Sequence, residues 1–405
     1  MKCRVLQPGS TTIAPNLELD IPPEISLHIL RILSFSNYCN TLGFKRKSDE
    51  FSIDSIRNLI KAQQDVYRCT LVCRDWYEVG LELLYMCPCI TSIPQLQSYA
   101  STLQKKPDFL PLVKSVVVEE AHIKYSLDGL ELRHHNLIRE KIAFILTACS
   151  SLTEVVVFVT EERYGYPLAR EAPTFLATPY ITSHLQRVHF FGSGAYDLAP
   201  HHTFLALEVL VISTCVVDYP FAFPNAPNLH TIQIVKTFCQ RRVMHEVQDP
   251  SVIGDCPSLR TLELYLNTPS NVMEFLVLKR PQLERLHLIG HAETRHFRAW
   301  SVTNVLDKLC HLVIGTMTDG AHPVQDWIFP STLEDLTCFV NAPPSTVNGP
   351  LHCLLRTFQL NAEKSSRQTP PRLILYIDPR STVHEWILDQ IRDLGVTIER
   401  RETRE

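Results

Sequence analysis

The sequence predicts an α/β protein: a small helical domain at the N-terminus, followed by an irregular repeat solenoid built on a parallel β-sheet. Three observations carry that expectation. A six-residue apolar pattern recurs between residues 113 and 377. Prolines stand at a constant offset before many of its copies. Residues 18–92 break with the pattern and show helical spacing instead. The expected divisions are an N-terminal stretch 1–17, a helical domain 18–92 with an insert at about 36–64, a linking helix 93–107, a repeat domain 108–400 and a tail 401–405.

The recurring pattern is apolar, two variable, apolar, one variable, apolar. It reads "LTEVVV" from Leu152, "LQRVHF" from Leu185, "LEVLVI" from Leu207 and "LHTIQI" from Leu229. It continues as "LRTLEL" from Leu259, "LERLHL" from Leu283, "LCHLVI" from Leu309, "LEDLTC" from Leu333 and "LRTFQL" from Leu355. Weaker copies are "VKSVVV" from Val113 and "LILYI" from Leu373. Most copies follow one another at the interval of a single leucine-rich repeat. The spacing thus resembles a leucine-rich repeat array, in which each unit is a short strand and a return segment. The last two apolar positions are two apart and so share one face of a strand. One strand and its return cannot bury that face alone, whereas stacked neighbours share a continuous core. Pro111, Pro227, Pro257, Pro281 and Pro371 each stand two residues before a first apolar position, where a fixed φ ends the return and starts the strand. The place usually held by Asn or Cys after the strand is filled here by Thr160, Ser193, Cys215, Thr237, Asn267 and Asn341, but also by His291, Met317 and Glu363, so an uneven solenoid is expected. An α/β domain with ordinary crossover helices is the rival reading.

The N-terminal region is helical by a different signature. In "IPPEISLHILRIL", Pro23 suits the first helical turn, Glu24 the positive end of the helix dipole, and Ile25, Ile29 and Leu33 mark one apolar face. In "YRCTLVCRDWYEV", Val72, Trp76, Val79 and Leu83 fall on a second helical stripe, with Asp65 before it as N-cap. Ile53, Ile56 and Ile60 point to a further helix within the insert.

These two segments resemble an F-box, a helical module of about fifty residues. Ile21, Pro22, Glu24 and Ile25 match the family's opening, with Ile replacing the usual Leu; Leu71, Val72, Cys73, Arg74 and Trp76 match its closing helix. The whole chain resembles fungal F-box proteins that carry degenerate leucine-rich repeats, in which residues 94–118 would form a linking helix and the first strand. It departs from them in the roughly thirty residues between Leu33 and Asp65.

That resemblance implies a substrate-recognition subunit of an SCF-type E3 ubiquitin ligase, itself without catalysis. Ile21, Pro22, Pro23, Glu24, Ile25, Ile29, Leu33, Leu71, Val72 and Trp76 would serve docking to a Skp-type adaptor, and through it to a cullin. Ile21 and Pro22 would insert into the adaptor, while Leu71, Val72 and Trp76 would hold the helices together and in part meet it. The repeat sheet would bind an unknown protein substrate. Its open face is expected to include Arg187, His189, Glu263, Arg285 and His287, with the aromatics Phe158, Phe191, Tyr265 and Phe339 beside them at one repeat position. Those aromatics are either open to a partner or covered by neighbouring loops. The alternative function is a repeat scaffold that binds a partner without ubiquitin transfer.

Composition sets the outer bounds. A formal net charge of -4 gives no basic footprint for nucleic acid, and no stretch is apolar enough for a membrane span. Thirteen cysteines without paired spacing, and no apolar leader at the N-terminus, point to a reducing compartment, cytoplasm and/or nucleus. Cys69, Cys73, Cys87 and Cys89 lack the paired spacing of a structural zinc site and read as buried or half-buried thiols. "MHEVQ" and "VHEWI" have no second histidine at metalloprotease spacing, and "FGSGAYD" fits neither a nucleophile elbow nor a phosphate loop. No catalytic residue, metal or cofactor is therefore assigned.

Overall fold

The computed structural model describes residues 53–72, 74–119, 132–158, 183–191, 203–213, 216–217, 225–235, 238–239, 255–265, 282–289, 306–314, 329–340, 348–364, 371–377, 383–394 and 396–400. The chain divides into two compact units, Met1–Gly165 with Thr174–Ser193, and Tyr166–Pro173 with Gly194–Glu405.

The described part of the first unit begins with an antiparallel helical hairpin. Helix α1 (Ile53–Thr70) buries Leu59, Ala62, Val66 and Thr70, spaced three and four apart, along one stripe. It stops where the Thr70 hydroxyl donates to the Tyr67 carbonyl at 2.6 Å and the Leu71 and Val72 amides fold back onto Arg68 and Cys69. Helix α2 (Arg74–Met86) returns along it, with Leu83 packed against Val66, and Cys69, Trp76, Leu84 and Met86 around them. Gly80 faces Thr70 so closely that a Cβ there would stand 2.5 Å from the Thr70 methyl. Two sequence expectations are corrected here. The insert helix and the segment around Asp65 form one continuous helix, so Asp65 lies inside it and caps nothing. The stripe drawn through Val72 and Trp76 is also broken, because the chain turns at Leu71 and Val72.

The sheet begins directly after the hairpin. Strand β1 (Cys89–Ile90) runs into α3 (Ile93–Lys105), whose N-terminus is capped by the Ser92 hydroxyl accepting from the Gln95 amide at 3.4 Å. Leu96, Ala100 and Leu103 form the buried face of α3. A 3₁₀ turn (Pro107–Leu112) leads to β2 (Ser115–Glu119), which pairs parallel with β1. Helix α4 (Leu132–Ala148), strand β3 (Glu154–Phe158) and strand β4 (Arg187–Phe191) follow, each strand parallel to the one before. Since Cys89 pairs with Val117, the sheet starts within the range read as helical domain.

The second unit repeats this arrangement. Strands β5 (Val209–Ser213), β7 (Thr231–Val235), β9 (Thr261–Tyr265), β10 (Arg285–Ile289), β11 (His311–Ile314) and β12 (Asp335–Val340) lie side by side in parallel register. Short β6 (Val216–Val217) and β8 (Phe238–Cys239) form a separate parallel pair. After helix α5 (Asn348–Lys364) come β13 (Arg372–Ile377), helix α6 (Glu385–Asp393) and β14 (Thr397–Arg400), again in order and parallel. The fold is thus α/β and repeat-like, with a sequential all-parallel sheet flanked by helices. No described helix is long and apolar enough to cross a membrane.

The repeat's apolar positions are its core. The first column, Val113, Leu152, Leu185, Leu207, Leu229, Leu259, Leu283, Leu309 and Leu333, is buried throughout. So is the second, Val116, Val155, Val188, Leu210, Ile232, Leu262, Leu286, Leu312, Leu336 and Leu373; Leu373 was expected at a first apolar position, but it pairs with Leu336 and holds the second, so Pro371 does not keep the common offset. A tight turn delivers the chain into β7, β9, β11 and β12. The Leu229, Leu259, Leu309 and Leu333 amides donate to the carbonyls three residues earlier, at Ala226, Cys256, Leu306 and Pro330, at 3.0 to 3.3 Å. Pro227 and Pro257 stand second in those turns, the place that the fixed φ of a proline ring suits. Just inside each turn, one carbonyl of the preceding repeat accepts two successive amides. Lys114 serves Thr153 and Glu154, His230 serves Arg260 and Thr261, and Cys310 serves Glu334 and Asp335.

One expected copy is not a strand. "LRTFQL" from Leu355 lies within α5. Leu351, Leu354, Leu355 and Phe358 are buried at helical spacing, while Leu360 is 38% exposed, because the fifth residue after Leu355 falls off that face. Glu363 lies in the same helix, and the other eight residues expected at the post-strand bends lie outside the described residues.

Candidate functional site

Two surfaces are candidates: the turn end of the hairpin in the first unit, and the sheet face that carries the variable strand positions.

At the hairpin, Tyr67, Leu71, Val72 and Tyr77 are exposed within eleven positions, Leu71 by 68%. The other large apolar residues exposed among those described, Leu205, Leu360 and Trp386, stand apart in the chain. Short ion pairs flank the turn, Arg68 with Asp65 at 3.0 Å and Arg74 with Glu78 at 3.1 Å. The expected bracing role of Leu71 and Val72 is corrected: the turn that breaks the helix leaves both outside the hairpin core. Trp76 does brace it, packed on the Val66–Leu83 core with its indole N–H buried and unpartnered among the described residues. Ile21, Pro22, Pro23, Glu24, Ile25, Ile29 and Leu33 lie outside the described residues.

The sheet face differs between the units. In the first, Ser115, Glu154 and Arg187 share one cross-strand row, with Val117, Val156 and His189 in the next. Ser115, Glu119, Glu154, His189 and Phe191 are all buried, and the His189 imidazole sits 3.1 Å from the Glu154 carboxylate. His189 and Phe191 therefore do not line an open surface as expected, and Arg187 is only half-buried. The sequence pattern puts these positions opposite the leucines; it does not say whether another segment covers them.

In the second unit the same positions are buried at Val209 and Val211 of β5, but from β7 onward they are partly open and carry a polar ladder. The Gln233 amide donates to Glu263 at 3.1 Å, and His287 lies 3.9 Å from the same carboxylate. Farther along, His311 is 3.0 Å from Asp335, which also accepts from Arg372 at 2.9 Å. Arg285 is exposed at the start of β10. Burial, then the neighbouring Arg285 and His311 charges, push the His287 imidazole down to about 4, so it is neutral at pH 7. Phe339 stacks on Tyr376 of the next strand, centroids 4.7 Å apart. The strand registers thus bring Glu263, Arg285 and His287 together. Phe339 lies two strands beyond β10, and the side chains of Phe158 and Tyr265 lie outside the described residues.

Sequence reasoning missed Gln233, His311, Asp335, Arg372 and Tyr376. The signal was present for Gln233, His311 and Asp335, which hold the same positions in their copies as residues that were named; Arg372 and Tyr376 fall into line only once Leu373 is paired with Leu336. Tyr67 and Tyr77 were missed because a single helix was drawn through the turn. Among the described residues, no group of three or more His, Cys, Asp or Glu is placed to hold a metal ion. Burial pushes the Cys149 thiol up to about 12, and raises the Cys89 and Cys338 thiols as well, so all three are protonated at neutral pH. A scan against protein-family models and a search of curated proteins both return no match for this chain.

Proposed function

We propose that this chain is the substrate receptor of an SCF-type ubiquitin ligase, acting in the cytoplasm and/or nucleus. An F-box-like N-terminal region, from Ile21 through the helical hairpin, docks on a Skp-type adaptor and through it on a cullin. The leucine-rich-repeat-like sheet holds the protein to be ubiquitinated. The observation that carries the reading is the exposure of Tyr67, Leu71, Val72 and Tyr77 at the turn of a well-packed hairpin. Large apolar side chains left in water at one place are what helix-in-groove docking uses as anchors. The chain performs no bond chemistry in this scheme; it raises the effective concentration of substrate near a ubiquitin-charged enzyme. The half-open ladder around Glu263, Arg285 and His287, with the Phe339–Tyr376 stack, is the substrate surface this reading favours.

Co-expression with a Skp-type adaptor tests it. The parent chain should co-elute one-to-one with the adaptor. Leu71→Asp and Val72→Asp, both on exposed side chains, should remove co-elution while leaving the melting temperature within a few degrees. If the parent chain never pairs with an adaptor at micromolar concentration, the ligase role fails and a repeat scaffold remains. If both aspartate variants co-elute as well as the parent, the turn is not the docking site.

A further inference from the structure

The segment that departs from the family pattern ends in a contact of its own. Gln63 projects from α1 at the outer edge of β1, the first strand in the sheet order. Its side-chain amide nitrogen donates to the Cys87 carbonyl, and its oxygen accepts from the Cys89 amide at 3.0 Å. Those two backbone groups are the ones a neighbouring strand would bond, a carbonyl and the amide two residues on. The other edge of this stretch already faces β2, where the Val117 amide donates to Pro88 at 2.9 Å and the Lys114 amide to Met86 at 2.9 Å. One carboxamide therefore bonds these two backbone groups in the way a residue of a neighbouring strand would.

We infer that the insert at 36–64 supplies a positioning element: Gln63 brackets the helical hairpin to the edge of the first unit's sheet. The hairpin carries the exposed turn, so this bracket sets the direction in which the turn is presented to the adaptor. That meaning rests on the receptor reading; the bracket itself does not. A carboxamide is required because it offers one donor and one acceptor in a plane. Methionine matches its length without either group. Glutamate keeps an acceptor for Cys89 but sets a second acceptor against the Cys87 carbonyl.

Hydrogen exchange on the full chain tests the bracket, with adaptor co-elution measured separately. Gln63→Met should speed exchange of the peptide 87–91 about tenfold, with 154–158 unchanged. Gln63→Glu should do the same at neutral pH and recover part of the protection when the carboxyl is protonated near pH 4. Unchanged exchange at 87–91 overturns the inference. So does an equal rise in 87–91 and 154–158, which marks general loss of stability in place of a local bracket. If the parent chain fails to bind an adaptor, the receptor reading falls while the exchange result still decides the bracket.

Discussion

Gly80→Ala should destabilise the hairpin, and the sign should reverse when one methyl is removed from the facing helix. A Cβ at Gly80 would stand 2.5 Å from the Thr70 methyl carbon, about 1 Å inside an ordinary carbon–carbon contact. Thr70 is buried and its hydroxyl is committed to the Tyr67 carbonyl, so rotating the methyl away sacrifices that bond. Overpacking of this kind costs about 1–3 kcal/mol. Replacing Gly by Ala inside a helix returns about 1 kcal/mol. The net loss is about 0–2 kcal/mol. In the Thr70→Ser background the nearest remaining atoms are the Val66 Cγ1 at 3.7 Å and the residue-70 Cβ at 3.8 Å, both ordinary contacts, and the hydroxyl bond is kept. There Gly80→Ala should stabilise by about 0.5–1 kcal/mol. The assay is a double-mutant cycle by urea unfolding followed through circular dichroism, with an interaction free energy of about 1–3 kcal/mol expected. Effects of the two substitutions that simply add would refute the close approach of the two helices.

Two further outcomes test other parts of the fold. Phe358→Ala should cost about 3–5 kcal/mol and Leu360→Ala less than about 0.5 kcal/mol, measured by chemical denaturation, because α5 buries the first and exposes the second; a strand at 355–360 would put both on one buried face and make both changes costly. His287 is neutral in the folded chain down to about pH 4, whereas its ordinary value is 6.5. The unfolded chain thus binds more protons between these values, and stability falls as pH drops through the window. His287→Gln should lose less stability than the parent between pH 7 and pH 4.5 in matched urea titrations; identical pH slopes would refute the assignment.

The sheet was legible because its signal is periodic. Leu229, Ile232 and Ile234 repeat a spacing that only a strand over a shared core demands, and all three are buried. The same six-residue test misread "LRTFQL", since Leu355 and Phe358 satisfy a helix face equally well and only Leu360 separates the two. Period-two alternation over one half-copy is too short to decide; the run Leu351, Leu354, Leu355, Phe358 decides it. The candidate site was less legible. Strand position says which face His189 and Phe191 occupy, but burial on that face depends on segments far away in sequence. The hairpin turn was hidden because Thr70, Leu71 and Val72 carry neither Gly nor Pro. There the break comes from a side-chain hydroxyl competing for a backbone carbonyl, which composition does not announce.

The shared carbonyls at Lys114, His230 and Cys310 have a consequence for how this chain tolerates change. Each of these strand entrances is anchored to its predecessor by two bonds to one atom, so pairing is set at the threshold and a slip of one residue would break both. The stretches between strands are then released from any duty to hold alignment. They are free to differ in length and wording from one repeat to the next, which is how a chain with such unequal intervals keeps the leucines of neighbouring strands in register within each unit.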